Sequence, residues 1–271
     1  MELSVIIPTY NRREMLSKTI QTLMDQVGEI KFEVLVCDDG SNDGTEDLVK
    51  GYIRNAPFLL RYLFHERNGA RYSTTRNEGI RAASYPIIVI IDDDMLLPAT
   101  ILKAHHDTHN IPGIVTIGYR YNLIPNEKEP YLPDVRDKHF AAYPNVEVPI
   151  WSIMETCNIS LDRELLINVG LFDETFTGWG GEDIELGYRL SKSGAKLVLN
   201  KEVYAWHQYD SDPKNSFLRY FRGLKPDFSS QIANLIRFKE KYPEDTELQE
   251  RLANWIERNK RIEAEMLSGK I

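Results

Sequence analysis

LSVIIPTYNRREMLSKTIQTLMDQV, residues 3–27, decides the fold. Residues 3–7 form a short apolar run that stops at Pro8, the pattern of a buried strand. From Arg13 to Val27 the apolar positions change period. Leu16, Ile20, Leu23, Met24 and Val27 fall on one helical face. The alternation then repeats. Residues 32–37 read as a strand, 45–54 as a helix, 59–64 as a strand and 73–83 as a helix, and 87–91 (IIVII) is the most apolar strand of all. Strand and helix in strict turn imply an α/β fold, a mostly parallel sheet covered on both faces. Ligands of such sheets bind at the carboxyl ends of the strands.

The 271 residues suffice for one large domain or two small ones. A hydrophobic share of 42% and a charged share of 27% are those of an ordinary globular chain, which argues against disorder or a disulfide scaffold. With 41 acidic against 33 basic residues the formal charge is -8, unfavourable for general nucleic-acid binding. Cys37 and Cys157 sit in apolar settings and read as two buried thiols of a reducing compartment. No run approaches the roughly 20 apolar residues of a membrane span, and Met-Glu-Leu-Ser is no signal peptide. The expectation is a soluble cytoplasmic protein without a transmembrane segment, at most peripheral at the inner face of the membrane.

Residues 122–149 carry five of the 13 prolines and no clean period, a long excursion serving as a substrate loop or an irregular bridge. Order returns at residues 151–160, followed by helices at 163–169 and 182–192 and a strand at 196–199. From Phe228 the chain is helical again, with Ile232, Leu235, Ile236, Phe238, Leu248, Leu252, Trp255, Ile256 and Ile262 on an apolar face. This suits a packed tail, or one that forms a homodimer.

Chemistry gathers where strands end. The first strand ends in Pro8-Thr9-Tyr10-Asn11-Arg12, the second in Asp38-Asp39-Gly40, the fourth in Asp92-Asp93-Asp94. Three adjacent carboxylates raise one another's pKa unless a cation is present, and Mg2+ or Mn2+ commonly bridges such acids to substrate phosphates. Acids capping a helix ahead of Pro98 explain the cluster equally well at this point. The 38–45 loop also reads as a plain glycine turn with Thr45 as N-cap. His105 and His109 are four apart on a helix and could chelate zinc, but without an HExxH arrangement a solvated face is the better reading. There is no P-loop and no GxGxxG, so neither an NTPase nor a dinucleotide dehydrogenase is supported.

SVIIPTYNR (4–12), VLVCDDGSNDGT (34–45), NGARYSTTRNEGI (68–80) and IIVIIDDDM (87–95), in that order, resemble family 2 glycosyltransferases of the GT-A fold. The resemblance implies a Rossmann-like central mixed sheet and a nucleotide-sugar donor, most often UDP-linked. By that likeness Pro8, Thr9, Tyr10, Asn11, Arg12, Asp39, Arg76, Asp92 and Asp93 bind the nucleotide sugar, with Arg76 facing the diphosphate. Asp92 and Asp94 form the Asp-x-Asp metal motif, and Met95 replaces the acid that usually follows it.

CNISLDRELLINVGLFDETFTGWGGEDIELGYRL (157–190) resembles a segment shared by β-1,4-galactosyltransferases and bacterial chondroitin-type polymerases. Glycines let the backbone approach a sugar and Trp179 offers it a stacking face, so Trp179 and Gly180 join the sugar-binding set. Gly178, Gly180 and Gly181 also suggest a mobile lid around Trp179. Glu182 and Asp183 stand at a helix start, where the dipole favours ionised carboxylates; the likeness makes Asp183 the general base and Glu182 its neighbour toward the acceptor. His207 corresponds to a histidine that completes the metal site in related enzymes, and a nitrogen ligand leans toward Mn2+.

The expectation is an inverting, metal-dependent transferase, Mn2+ or Mg2+ its cofactor. It moves Gal, GalNAc, GlcNAc or Glc from UDP to a hydroxyl acceptor on a glycan or glycoconjugate. Residues 1–227 form the catalytic domain, 1–120 the nucleotide-sugar half and 121–227 the acceptor half; 228–271 form the tail. A sugar-phosphate nucleotidyltransferase, which wants a glycine- and lysine-rich loop after strand one, and a non-catalytic sugar-binding module are the rivals.

Overall fold

Within the apolar runs a period of two sorts the side chains onto two faces. Leu3, Val5 and Ile7, with Ile87, Val89 and Ile91, meet Leu16, Ile20 and Leu23 in one core. Ile6, Ile88 and Ile90 point the other way, onto Ile80, Leu166 and Leu186. Both faces are dry because helices cover each. The computed structural model describes residues 2–123, 131–132, 150–208 and 228–268. The first strands and helices alternate as expected: β1 (Leu3–Thr9), α1 (Arg13–Met24), β2 (Phe32–Asp38), α2 (Thr45–Ile53), β3 (Leu59–Phe64), α3 (Tyr72–Ala82) and β4 (Ile87–Ile91). Then come β5 (Met95–Leu96), α4 (Ile101–Thr108), β6 (Ile114–Leu123), β7 (Tyr131–Leu132), a 3-10 turn (Ile150–Ile153), β8 (Asn158–Asp162), α5 (Arg163–Asn168), α6 (Glu182–Lys192) and β9 (Lys196–His207). Two helices follow, α7 (Ser229–Lys241) and α8 (Thr246–Leu267).

The sheet runs β3-β2-β1-β4-β8-β6-β9-β5, with β7 beside β6. Strands β1 to β4 are mutually parallel where they pair, whereas β8 runs antiparallel to both β4 and β6, so the sheet is mixed. Helix α3 lies close on it at Gly79, where a Cβ would stand 2.6 Å from Ile6 Cγ2 and 2.7 Å from Cys37 Sγ. Both cysteines are buried thiols.

Three local expectations change. Thr45 is not the cap but the first helical residue of α2; the Asp43 carboxylate accepts both its N–H (3.1 Å) and its hydroxyl (2.6 Å). Strand β9 continues eight residues past the expected Leu199, through a bulge that sets Gly118 opposite Asn200 and Tyr119 opposite Tyr204. Its extension carries His207 to a position opposite Met95. The 122–149 excursion lies outside the described residues except for 122–123 and 131–132.

The tail packs inside the chain. Ile232, Leu235, Phe238, Leu248, Leu252 and Ile256 form a third core with Trp151, Phe176 and Tyr188. That apolar face is thereby largely covered within the chain, and of the expected set Ile236 alone is exposed, at 37%. Among the described residues no helix is long and apolar enough to cross a membrane.

Candidate active site

The carboxyl ends of β1, β2 and β4 lie side by side, and the loops leaving them are stitched together. Asn11, at φ 50°, donates its N–H to Ser41 Oγ (2.8 Å) and accepts the Asn42 N–H (2.8 Å). The Arg13 N–H bonds Asp43 (3.0 Å). They open onto a cleft of about 1460 Å³, lined by all of Pro8, Thr9, Tyr10, Asn11, Arg12, Asp39, Arg76, Asp92, Asp93, Asp94, Trp179, Gly180, Glu182, Asp183 and His207. Residues spread over two hundred positions thus meet at one place. That volume exceeds the usual small-molecule pocket and leaves room for two substrates.

At the β2 end, Asp39 is only 6% exposed. Its Oδ1 meets His65 Nε2 at 2.8 Å and its Oδ2 accepts from Arg67 Nη1 at 2.7 Å, while the Arg67 guanidinium lies 3.4 Å over the Tyr10 ring. His65 is braced in turn by Glu78 (2.6 Å). Arg67 and His65 escaped the sequence reading because no spacing marks them; the approach of β3 to β2 brings them in. The aromatic ring of Tyr10 and the fixed carboxylate of Asp39 together suit a planar base and a sugar hydroxyl.

The three aspartates do not cap a helix: they run directly into β5, and α4 starts only at Ile101. Asp93 is turned inward, accepting the Thr9 hydroxyl (2.7 Å) and Arg12 Nη1 (3.1 Å), so Thr9 and Asp93 tie β1 to the end of β4. Burial, reinforced by the charges of its neighbours, pushes the Asp93 carboxyl up to about 7 against the pull of Arg12. Asp94 differs. Burial opposes its ionisation, yet His207 Nε2 at 3.1 Å and Arg12 Nη1 at 2.7 Å outweigh it and hold the carboxyl well below the usual range. Both contacts fall on Oδ2; Asp94 Oδ1 is buried with no hydrogen-bond partner. An ionised carboxylate with one orphaned oxygen, beside an imidazole, fits a hard divalent cation. Asp92 stands across from Arg76 Nη2 at 3.7 Å, and among the described residues no three such side chains form a ready-made metal cage. The donor set therefore suits an ion completed by substrate phosphate oxygens. Met95, in place of the family's usual acid, is fully buried and stands opposite His207 where β5 pairs β9.

Arg76, on α3, joins the two halves. It is 5% exposed and ringed by carboxylates: Asp92, Glu182 Oε1 at 3.2 Å and Asp183 Oδ1 at 3.8 Å. Glu182 is buried against it, whereas the Asp183 side chain keeps 24% of its surface open to the cleft. Asp183 accepts the hydroxyl (2.7 Å) and the N–H (3.2 Å) of Thr156. Enclosure in the cleft and the adjacent Glu182 charge push the Asp183 carboxyl up to about 7, against Arg76 and Thr156. The helix start at α6 therefore does not keep it firmly ionised, as the dipole alone would. A carboxyl that titrates near neutrality is well matched to general-base work. Thr156 was missed by the sequence reading; a lone threonine in METCNIS carries no signal.

The Trp179 loop is not a free lid. Gly178, Gly180 and Gly181 have φ of 70°, 88° and 100°, and the segment is bonded to α7: Asn234 Nδ2 donates to Thr177 O (3.0 Å) and Gly180 O (2.8 Å), and Ser230 Oγ bonds the Trp179 N–H and carbonyl (3.1 Å each). Trp179 itself stays 43% exposed. His105 and His109 are neither zinc ligands nor a solvated face. Both are buried on the far side of the sheet's β8 strand, His105 between Ser160 Oγ and Asn158 Oδ1 (2.9 Å each) and His109 on Ser160 Oγ (2.8 Å). Burial pushes the His105 ring down to about 4.

A mixed α/β sheet whose strand ends open onto a cleft, with two acidic groups on either side of one arginine, has the GT-A architecture. The chain belongs to glycosyl transferase family 2, whose pattern it matches over residues 4–167. Residues 136–208 also match the family described as the N-terminal domain of galactosyltransferase. It is 33% identical to validoxylamine A glucosyltransferase of Streptomyces hygroscopicus subsp. jinggangensis over 89% of this chain and 61% of that protein. It is 27% identical to chondroitin synthase of Escherichia coli over 79% of this chain and 35% of that protein. The chain thus spans less than two thirds of these relatives. Among solved structures, the mannosyltransferase PcManGT of Pyrobaculum calidifontis, bound to GDP-Man and Mn2+, superposes with a TM-score of 0.67 at 19% identity, covering 99% of this chain and 74% of that one. TarS 1-349 of S. aureus in complex with UDP-GlcNAc gives 0.65 at 20% identity, over 98% and 72%. These two share the fold.

Proposed function

We propose that this chain transfers a hexose from a UDP-sugar to a hydroxyl of a glycan or glycoconjugate, with inversion at the anomeric carbon. One observation carries the reading: the Asp92/Asp94/His207 group and the Glu182/Asp183 pair face one cleft, joined through Arg76. Tyr10 and Asp39 take the base and ribose, and Arg76 lies between diphosphate and acceptor. Asp94, His207 and Asp92 would hold Mn2+ or Mg2+, which when bound neutralises charge on the departing diphosphate.

The protein's own residues do the rest. Asp183, more open to the cleft than Glu182, accepts the proton of the acceptor hydroxyl as that oxygen attacks from the side opposite UDP. Thr156 fixes the orientation of its carboxyl. Glu182, held by Arg76, binds a second acceptor hydroxyl, and Trp179 stacks on the acceptor ring.

UDP release from UDP-Gal, UDP-GalNAc, UDP-GlcNAc and UDP-Glc, with GDP-Man as the contrast, tests the donor. Asp183→Asn keeps size and hydrogen bonding, so turnover should fall about 10²–10⁴-fold with donor affinity nearly unchanged. Unimpaired turnover by Asp183→Asn, or a product of retained anomeric configuration, would refute the mechanism.

A further inference from the structure

We infer that α7 presets the acceptor side of the cleft: Asn234 and Ser230 are positioning residues that hold the Trp179 loop in its working shape before any substrate arrives. Asn234 is 1% exposed, a buried amide with both donor hydrogens committed to the two ends of one loop, at Thr177 O and Gly180 O. Its orientation is fixed from behind, because Arg237 Nη1 donates to Asn234 Oδ1 (3.1 Å). Ser230 grips the residue in between, bonding the N–H and the carbonyl of Trp179 itself. A displacement of Trp179 relative to α7 must break these bonds.

The packing is as close as the bonding. A Cβ on Gly178 would lie 2.6 Å from Ser230 Cβ, one on Gly180 3.0 Å from Gln231 Cγ, and one on Gly181 3.0 Å from Asn234 Cβ. The glycines that suggest flexibility in the sequence therefore serve contact: they let the helix lie directly against the loop. The far end of the same helix is anchored to the segments on either side of it. Lys241 Nζ meets Asp173 Oδ2 (2.7 Å), and the Tyr242 hydroxyl donates to Glu185 Oε1 in α6 (2.9 Å). Through these contacts α7 ties the loop to α6, the helix that begins with the acid pair.

The consequence for acceptor binding rests on the proposed role of Trp179; the test does not, since it needs no substrate. Acrylamide quenching of the chain minus that of its Trp179→Phe variant reports Trp179 alone. Asn234→Leu keeps the volume and removes the donors. The quenching constant of Trp179 should then rise about two-fold while that of the remaining tryptophans is unchanged and the melt stays cooperative. A constant that does not change, or a rise shared by all the tryptophans, overturns the inference. Should Asn234→Leu fail to fold, Ser230→Ala, which removes only the Trp179 contacts, is read by the same rule.

Discussion

Thr156→Val removes one hydroxyl from beneath the proposed base and keeps its shape. The hydroxyl is fully buried and donates to Asp183 Oδ1 at 2.7 Å; the backbone N–H to Oδ2 at 3.2 Å remains. A hydrogen bond to a charged group is worth about 1.5–3 kcal/mol, which at 1.36 kcal/mol per unit is about 1–2 pKa units. Because the hydroxyl stabilises the ionised carboxylate, its loss moves the Asp183 carboxyl upward from about 7. A base works only when ionised, so the acid limb of kcat/KM should shift by that amount to higher pH. At neutral pH the ionised fraction drops from about one half to between about one tenth and one hundredth, giving about 5- to 50-fold lower activity that is regained in alkali. UDP release measured across the pH range, with Asp183→Asn as the control that stays low throughout, checks this. An acid limb that stays in place, or a loss equal at every pH, would refute the assignment.

Asp94→Ala should abolish Mn2+ binding in the presence of UDP, read by calorimetry, while the fold persists; a variant that binds Mn2+ like the parent, or full turnover in EDTA, would remove the metal from the mechanism. His105 bears on stability. Its folded pKa of about 4 lies below the unfolded value of about 6.5, so the unfolded chain takes up the proton first and stability is lost as pH falls from the unfolded value through the folded one. The gap corresponds to about 3 kcal/mol. His105→Gln keeps a polar group for Ser160 and Asn158 without titrating, so its melting temperature should fall less between those pH values; an identical fall would refute the point.

Much of the molecule was legible because single residues carried their own signals. Apolar runs located β3 and β4 to the residue, and helix 182–192 was found with its bounds intact. Strand ends in a parallel sheet gather ligand residues wherever they lie in sequence, so motifs at 8–12, 38–39 and 92–94 converge by topology alone. What stayed hidden depends on distant neighbours. Strand β9 was cut short because Lys201 and Glu202 interrupt its apolar pattern at the bulge. His105 reads as surface on a helix rich in polar residues, and only β8, supplying Ser160 and Asn158, makes it interior. Glycines at 178, 180 and 181 suggest mobility until α7 is seen lying against them.

That late helix has a consequence for how the protein is made. The chain leaves the ribosome amino end first, at about 5–20 residues per second. The nucleoside loops and the aspartate cluster are complete by residue 94, and Glu182 and Asp183 follow about ninety residues on. Asn234, which braces the loop before them, emerges some fifty residues later still. Until residue 234 has emerged a nascent chain holds Glu182 and Asp183 but no support behind Trp179, so the acceptor side takes its final shape only after α7 has followed.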